Sequence, residues 1–272
     1  MRSTTRVLPV IAPFVLLATL AAGQQRLPIM TKLDFETTLL SAGWGAETCC
    51  AHSVQRSDSI RRAGTYSGRF ELQKTDPIIA NGSRSEVRYK PDSSLRVERW
   101  YGFSVFLPTD YKPDPDPEII AQWHEVPDVQ LGETWRSPPI ALFSENGLWR
   151  LHVIWAKEPV NTNQTRSGDK FIELGAVEPG VWTDWVFHIR FSWLDDGLIE
   201  VYQQGRLLAS FPGPNAYNDK SGTYFKAGLY KWGWMPKNDR GGSTTTKRVV
   251  YFDEIRIGNE RATYRDVAPT EK

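Results

Sequence analysis

Cysteine is almost missing from this 272-residue chain: Cys49 and Cys50 are the whole supply, and they are adjacent. Neighbouring cysteines can bridge only through a small ring, so no disulfide framework staples the chain and a packed core must hold it together. The sequence leaves open a vicinal disulfide, two buried thiols, or pairing elsewhere. Charge of one sign is missing too, with 33 Lys and Arg against 32 Asp and Glu. That balance argues against a nucleic-acid binder, which needs a broad basic surface. Beyond the first 23 residues no apolar run approaches the roughly 20 residues that span a bilayer as a helix. Sustained helical periodicity is absent as well.

What the chain has instead is an N-terminal leader and many short β-type runs. Arg2 and Arg6 precede an apolar stretch from Val7 to Ala22, and Ala21-Ala22-Gly23 supplies small residues for cleavage. Residues 1–23 therefore read as a secretory signal rather than an anchor, since Pro9 and Pro13 interrupt the stretch and it is too short to span. Secretion to the extracellular space is expected. Its removal takes two of the 33 basic residues, leaving 31 against 32 acidic ones. Residues 24–272 form one expected domain, large enough for a substantial core.

Twelve runs alternate as strands and are separated by turn residues, which predicts an all-β sandwich of two antiparallel sheets. Gln204-Gly205 between two of them predicts a tight hairpin. Lys112-Pro113-Asp114-Pro115-Asp116-Pro117 lacks the amide donors of a ladder and predicts a surface loop. Its Asp114 and Asp116, with Glu118, keep structural calcium open, although a solvated acidic loop explains them equally. Residues 233–246 predict a loop able to overhang a groove, and 268–272 a frayed tail. Asn81 and Asn163 begin glycosylation acceptor patterns.

Three strands carry the chemistry. Alternation puts Arg84, Glu86 and Arg88 on one face of the first, Gln122 and His124 on one face of the second, and Lys226, Tyr230 and Trp232 on one face of the third. Cations, an amide, an imidazole and a phenol are the groups that remove a proton beside a carboxylate. A uronic acid polymer is cut without water when the C5 proton is taken and the C4 glycosidic oxygen expelled. Arginine and Gln122 would neutralise the carboxylate, His124 would accept the proton, and Tyr230, its acidity raised by Lys226, would donate one to the leaving oxygen. Each strand alone also fits an ion-paired surface ladder; their joint occurrence favours a site. Arg136, Lys231 and Trp232 are further candidate substrate contacts. His52, His152 and His188 lack such company and read as structural.

Arg84-Ser85-Glu86-Val87-Arg88, Gln122-Trp123-His124 and Tyr224-Phe225-Lys226-Ala227-Gly228-Leu229-Tyr230 resemble the signature strands of jelly-roll alginate lyases of polysaccharide lyase family seven. Trp135-Arg136-Ser137-Pro138-Pro139, Gly180-Val181-Trp182-Thr183-Asp184-Trp185 and Tyr230-Lys231-Trp232-Gly233-Trp234 are similar to the heparin lyase I-like and glucuronan lyase group, from about Leu33 to Gly258. The resemblance implies a concanavalin-like β-jelly roll with the polymer in its concave sheet. It implies Gln122 and arginine as neutralisers, His124 and Tyr230 in proton transfer, and Lys226 as a functional lysine. Trp123 and Lys231-Trp232-Gly233-Trp234 depart from the alginate-lyase pattern, which puts glucuronan ahead of alginate as substrate, and the near-neutral mature charge puts heparin-like chains third. Catalysis needs no cofactor in this reading. The expected partner is an anionic polysaccharide, with no nucleic acid, no stable membrane association and a monomeric state. Rival readings are a non-catalytic carbohydrate-binding jelly roll and a glycoside hydrolase, the latter disfavoured by the lack of a closely spaced carboxylate pair.

Overall fold

The computed structural model describes residues 27–269 together with Met1, so the leader expected over 1–23 lies outside the described residues apart from that methionine. Fifteen strands follow in order: β1 (Ile29–Leu33), β2 (Trp44–Glu47), β3 (Val54–Ser57), β4 (Ser67–Gln73), β5 (Arg84–Tyr89), β6 (Glu98–Phe106), β7 (Glu118–His124) and β8 (Ile140–Glu145). The second half contributes β9 (Leu148–Trp155), β10 (Gly168–Ala176), β11 (Trp182–Arg190), β12 (Leu198–Gln203), β13 (Arg206–Pro212), β14 (Tyr224–Tyr230) and β15 (Lys247–Gly258), then a one-turn helix α1 (Tyr264–Val267). One sheet runs β10-β9-β8-β7-β14-β5-β2; the other runs β13-β12-β11-β6-β15-β4-β3, with β1 paired to β15. The molecule is an all-β jelly-roll sandwich of two antiparallel sheets, as the alternating runs predict.

The inward residues of the first sheet are the apolar half of the same strands that carry polar groups outward. Trp123, Phe225, Ala227, Leu229 and Val87 are fully buried. Trp123 meets Phe187 of β11 at 4.7 Å and Tyr101 of β6 at 5.4 Å between ring centroids, and Phe225 meets Phe103 of β6 at 5.8 Å. These contacts tie the polar face of β7 and β14 to a rigid backing. Truncating Trp123 to alanine removes a large buried ring between Gln122 and His124, and is expected to cost about 3–5 kcal/mol in urea unfolding.

β2, β3 and β10 escape the alternation pattern. β2 is four residues of Trp-Gly-Ala-Glu, too short for a period to register, and β10 is an edge strand whose mixed exposure and Gly175 irregularity blur it. The Gln204-Gly205 hairpin forms with both residues at positive φ, 47° and 82°, matching a two-residue turn that glycine eases. The tail is not frayed at Ala268, which is buried and whose carbonyl accepts from Arg256; 270–272 lie outside the described residues.

Candidate active site

β7, β14 and β5 are consecutive neighbours in the middle of the seven-stranded sheet, with β2 beyond β5. Their registers stack the outward side chains in rows. Gln122, Lys226 and Arg88 stand opposite one another, with Gly45 of β2 completing the row. On one side of it His124 faces Tyr224. On the other, Glu86 pairs with Glu47 and Gly228, and beyond them Arg84 and Ile119 flank Tyr230. A side chain at 228 would put its Cβ 2.2 Å from the Ser85 carbonyl oxygen and 3.1 Å from the core ring of Phe70, and its φ of 141° suits glycine, so this position adds no side chain to the face.

Glu47 is the residue the sequence concealed. Its carboxylate accepts from Lys226 Nζ at 2.7 Å and from Arg84 Nη1 at 2.8 Å, and lies 3.5 Å from Arg88 Nε. Glu86 accepts from Arg84 at 3.1 Å, lies 3.8 Å from Lys226, and takes a short bond from the Gln122 amide. Three cations thus meet two carboxylates, leaving one positive charge in excess at the floor. The Glu47 carboxyl is held below its ordinary range: burial alone would raise it, but Lys226 and Arg84 outweigh that.

The two arginines have different fates. Arg84 is 8% exposed, held by both glutamates, and its guanidinium lies 4.2 Å above the Tyr230 ring. Arg88 is 44% exposed at its side chain with one loose contact, so it is the guanidinium open to a ligand carboxylate. Glu86 orients Arg84 and Gln122, and Glu47 is what touches Arg88. Gln122 is buried, one of its N–H groups is committed to Glu86, and its Oε1 has no hydrogen-bond partner within the protein.

His124 is half-buried, with its ring 5.6 Å from Tyr224 and 5.5 Å from the exposed Trp135. Its Nδ1 lies 2.8 Å from the Glu125 carbonyl oxygen, which can only accept; the proton therefore sits on Nδ1 and Nε2 carries the free lone pair. Burial, with Lys226 and Arg84 adding repulsion, pushes the imidazole down to about 3. Tyr230 moves the other way. Burial raises its phenol, and Arg84 offsets this only in part. The expectation that Lys226 makes Tyr230 more acidic is thus corrected: Lys226 is occupied by Glu47, and the phenol stays protonated.

These directions fix a pH dependence. A base must be deprotonated, which His124 is above about pH 3, and an acid must be protonated, which Tyr230 is to beyond the ordinary tyrosine range near 10. The pH–rate profile is expected to be flat through pH 6 to 8, and an acid limb near 6.5 would contradict the assignment.

Two candidate contacts leave the site. Arg136 is 5% exposed at its side chain, forks onto Asp219 at 2.5 and 2.6 Å, reaches Glu133 at 3.1 Å and lies over Tyr217. Lys231 is fully buried, 3.3 Å from both Asp114 and Asp116. It follows Tyr230 by one residue, so alternation turns it away from the groove. The acids of the proline-rich loop are taken up in the same way: Asp114 also accepts from Ser243 and Thr245, which with Lys231 hold it down at about 2, and Glu118 is paired with Arg248. Asp114 thereby moors the loop over 233–246, which is strapped rather than free to close.

Trp232 keeps its place on the outer face, packing on Tyr230 at 6.2 Å and on Phe143 of β8 at 5.6 Å. His152 also lies on this face, stacked 3.9 Å from Phe171 of β10 and bonded to Asp169. Aromatic rings therefore border the polar floor on two sides, with Trp135 and Tyr224 near His124 and Trp232 and Phe143 near Tyr230. Such rings suit pyranose faces. Tyr224 and Trp135 are functional candidates that only the quoted motifs hinted at.

The polysaccharide lyase family model matches residues 34–256. The chain belongs to the polysaccharide lyase family. Among solved structures, the endo-β-1,4-glucuronan lyase of the fungus Trichoderma reesei has a TM-score of 0.73 at 21% identity, covering 90% of this chain and 100% of that one. An alginate lyase from Pseudomonas aeruginosa has a TM-score of 0.50 at 20% identity, covering 76% and 88%. The binding domain of botulinum neurotoxin serotype G also reaches 0.50 at 15% identity, covering 88% of this chain and 49% of that one. A toxin domain among the matches makes the point that fold likeness at this level does not select an activity. A search of curated protein sequences finds no match.

Proposed function

We propose that this polysaccharide lyase cleaves β-1,4-glucuronan within the chain by β-elimination. The observation that carries the reading is that His124 and Tyr230 project from one face of one sheet, on either side of the Gln122 and Lys226 pair. A sugar lying across that pair is reached from one flank by the imidazole and from the other by the phenol. In glucuronate the C5 hydrogen and the C4 oxygen lie on the same side of the ring. In guluronate and iduronate they lie on opposite sides; the choice of glucuronate rests on the likeness to the fungal glucuronan lyase and on the Lys231-Trp232-Gly233-Trp234 segment.

The step then runs as follows. Arg88 pairs with the substrate carboxylate, and the excess positive charge of the floor lowers the cost of the charge that develops on it. The Nε2 atom of His124 takes the C5 proton, the C4–O bond breaks as the C4=C5 double bond forms, and the Tyr230 hydroxyl protonates the departing oxygen. Water is not consumed. Trp232 and Trp135 carry neighbouring sugars, and Gln122, buried and bonded to Glu86, steadies the floor beneath the substrate carboxylate. A leader over 1–23 would deliver such an enzyme outside the cell, where these polymers are.

The test is incubation with glucuronan, polymannuronate, polyguluronate and heparin, following the ultraviolet absorbance of the new double bond. Absorbance rising fastest on glucuronan is expected. Absorbance only on polyguluronate would overturn the glucuronan reading, and binding without absorbance on any polymer would favour the carbohydrate-binding module.

A further inference from the structure

Cys49 and Cys50 form a disulfide with each other in the turn that carries the chain from β2 in one sheet to β3 in the other. The catalytic proposal makes no use of this corner, yet it is chemically dense. The Nε2 atom of His52 lies 3.1 Å from Asp76 Oδ2, and the Cys50 sulfur lies 3.9 Å from Asp76 Oδ1. One ligand atom from each of Cys49, Cys50, His52 and Asp76 falls within 4.8 Å of all the others. A four-coordinate ion with sulfur, nitrogen and oxygen bonds of about 2.0–2.3 Å holds its ligand atoms roughly 3.3–3.8 Å apart, so small side-chain rotations close this set around one ion.

We propose that reduction of the Cys49–Cys50 disulfide converts this corner into a site for one thiophilic metal ion, with two thiolates, an imidazole and a carboxylate as ligands. Disulfide and metal exclude each other, because only the thiolates formed on reduction carry the negative charge and the added lone pair that bind a thiophilic ion strongly. A dithiol reductant supplies two electrons and two protons, forming two protein thiols and its own disulfide. The metal then displaces one proton from each thiol.

The scaffold does not depend on the bond that opens. The turn is closed by Ser53 N–H donating to the Cys50 carbonyl at 3.1 Å and by Cys50 N–H donating to Ser53 Oγ at 3.3 Å. Asp76 is fixed separately, accepting from Gln73 N–H at 2.9 Å. His52 is 33% exposed at its side chain, which gives an ion a way in. Two thiolates with one imidazole favour zinc, cadmium or copper(I) over calcium or magnesium.

The experiment titrates cadmium into the full chain before and after treatment with a dithiol that is then removed without air, reading the cadmium–thiolate ultraviolet absorption and counting free thiols. Expected are two thiols and one cadmium per reduced chain, with none bound to the oxidised chain. His52→Ala, which leaves the disulfide untouched, should weaken cadmium binding by at least roughly tenfold, the scale that even outer-sphere partners of a metal carry. Near-ultraviolet circular dichroism of the oxidised variant reports that it folds. Equal binding before and after reduction, failure of the thiols to appear, two thiols without cadmium absorption, or an undiminished His52→Ala affinity would each overturn the proposal.

Discussion

Tyr230→Phe is expected to lower kcat by roughly 10²–10⁴-fold, the usual contribution of a positioned proton donor, with KM changed little. The substitution removes only the hydroxyl. The ring stays beneath the Arg84 guanidinium and against Trp232, so packing, and with it the polymer's resting place, is preserved. Binding that survives while the ultraviolet signal disappears would separate a proton-transfer role from a structural one. A KM rise with kcat intact would instead make Tyr230 a binding residue. If the acid is Tyr230, the small activity left should also lose any alkaline limb that the wild type shows.

Glu47→Ala should have a large effect on stability. Arg84 and Lys226 are 8% and 2% exposed, and Glu47 is the nearest carboxylate to both. Removing one partner of buried ion pairs leaves charge without compensation, typically at a cost of about 3–5 kcal/mol. Glu86 remains 3.1 Å from Arg84 and 3.8 Å from Lys226, which places the expected loss near the lower end, about 3 kcal/mol. Denaturant unfolding of Glu47→Ala and of the isosteric Glu47→Gln measures it. A change under 1 kcal/mol in both would show that Glu86 alone suffices. Activity should fall with stability, because Lys226 and Arg84 set the floor on which the sugar acid rests.

The polar face was legible wherever a strand was long enough for alternation to speak. Arg84, Glu86 and Arg88, then Gln122 and His124, then Lys226 and Tyr230 do share faces, and the sheet does join the three strands side by side. What alternation cannot carry is register. His124 stands opposite Tyr224, and Tyr230 lies six residues further along β14, about 20 Å of extended backbone. The two groups therefore flank the Gln122 and Lys226 row, and elimination on one sugar requires both side chains to lean over it.

Partners distant in sequence were equally hidden. Glu47 sits in a four-residue strand 179 positions from Lys226. Asp219, 83 positions away, holds Arg136, and the Asp114 loop folds back on Lys231. Single-sequence reading counts cations but not the carboxylates that tertiary structure brings to them, so it overestimated the free positive charge. The burial that lowers His124 and raises Tyr230 is likewise a property of the assembled sandwich, absent from any stretch of the chain.

The most direct test of elimination at this site is the mass of the products. A defined β-1,4-linked glucuronate oligosaccharide is digested in ordinary water, and the two complementary fragments are weighed by mass spectrometry. Elimination requires their masses to sum to that of the parent, with the unsaturated sugar on the fragment that carried the lost C5 proton. Fragments that together exceed the parent by one water would mean hydrolysis, and the roles given to His124 and Tyr230 would be wrong.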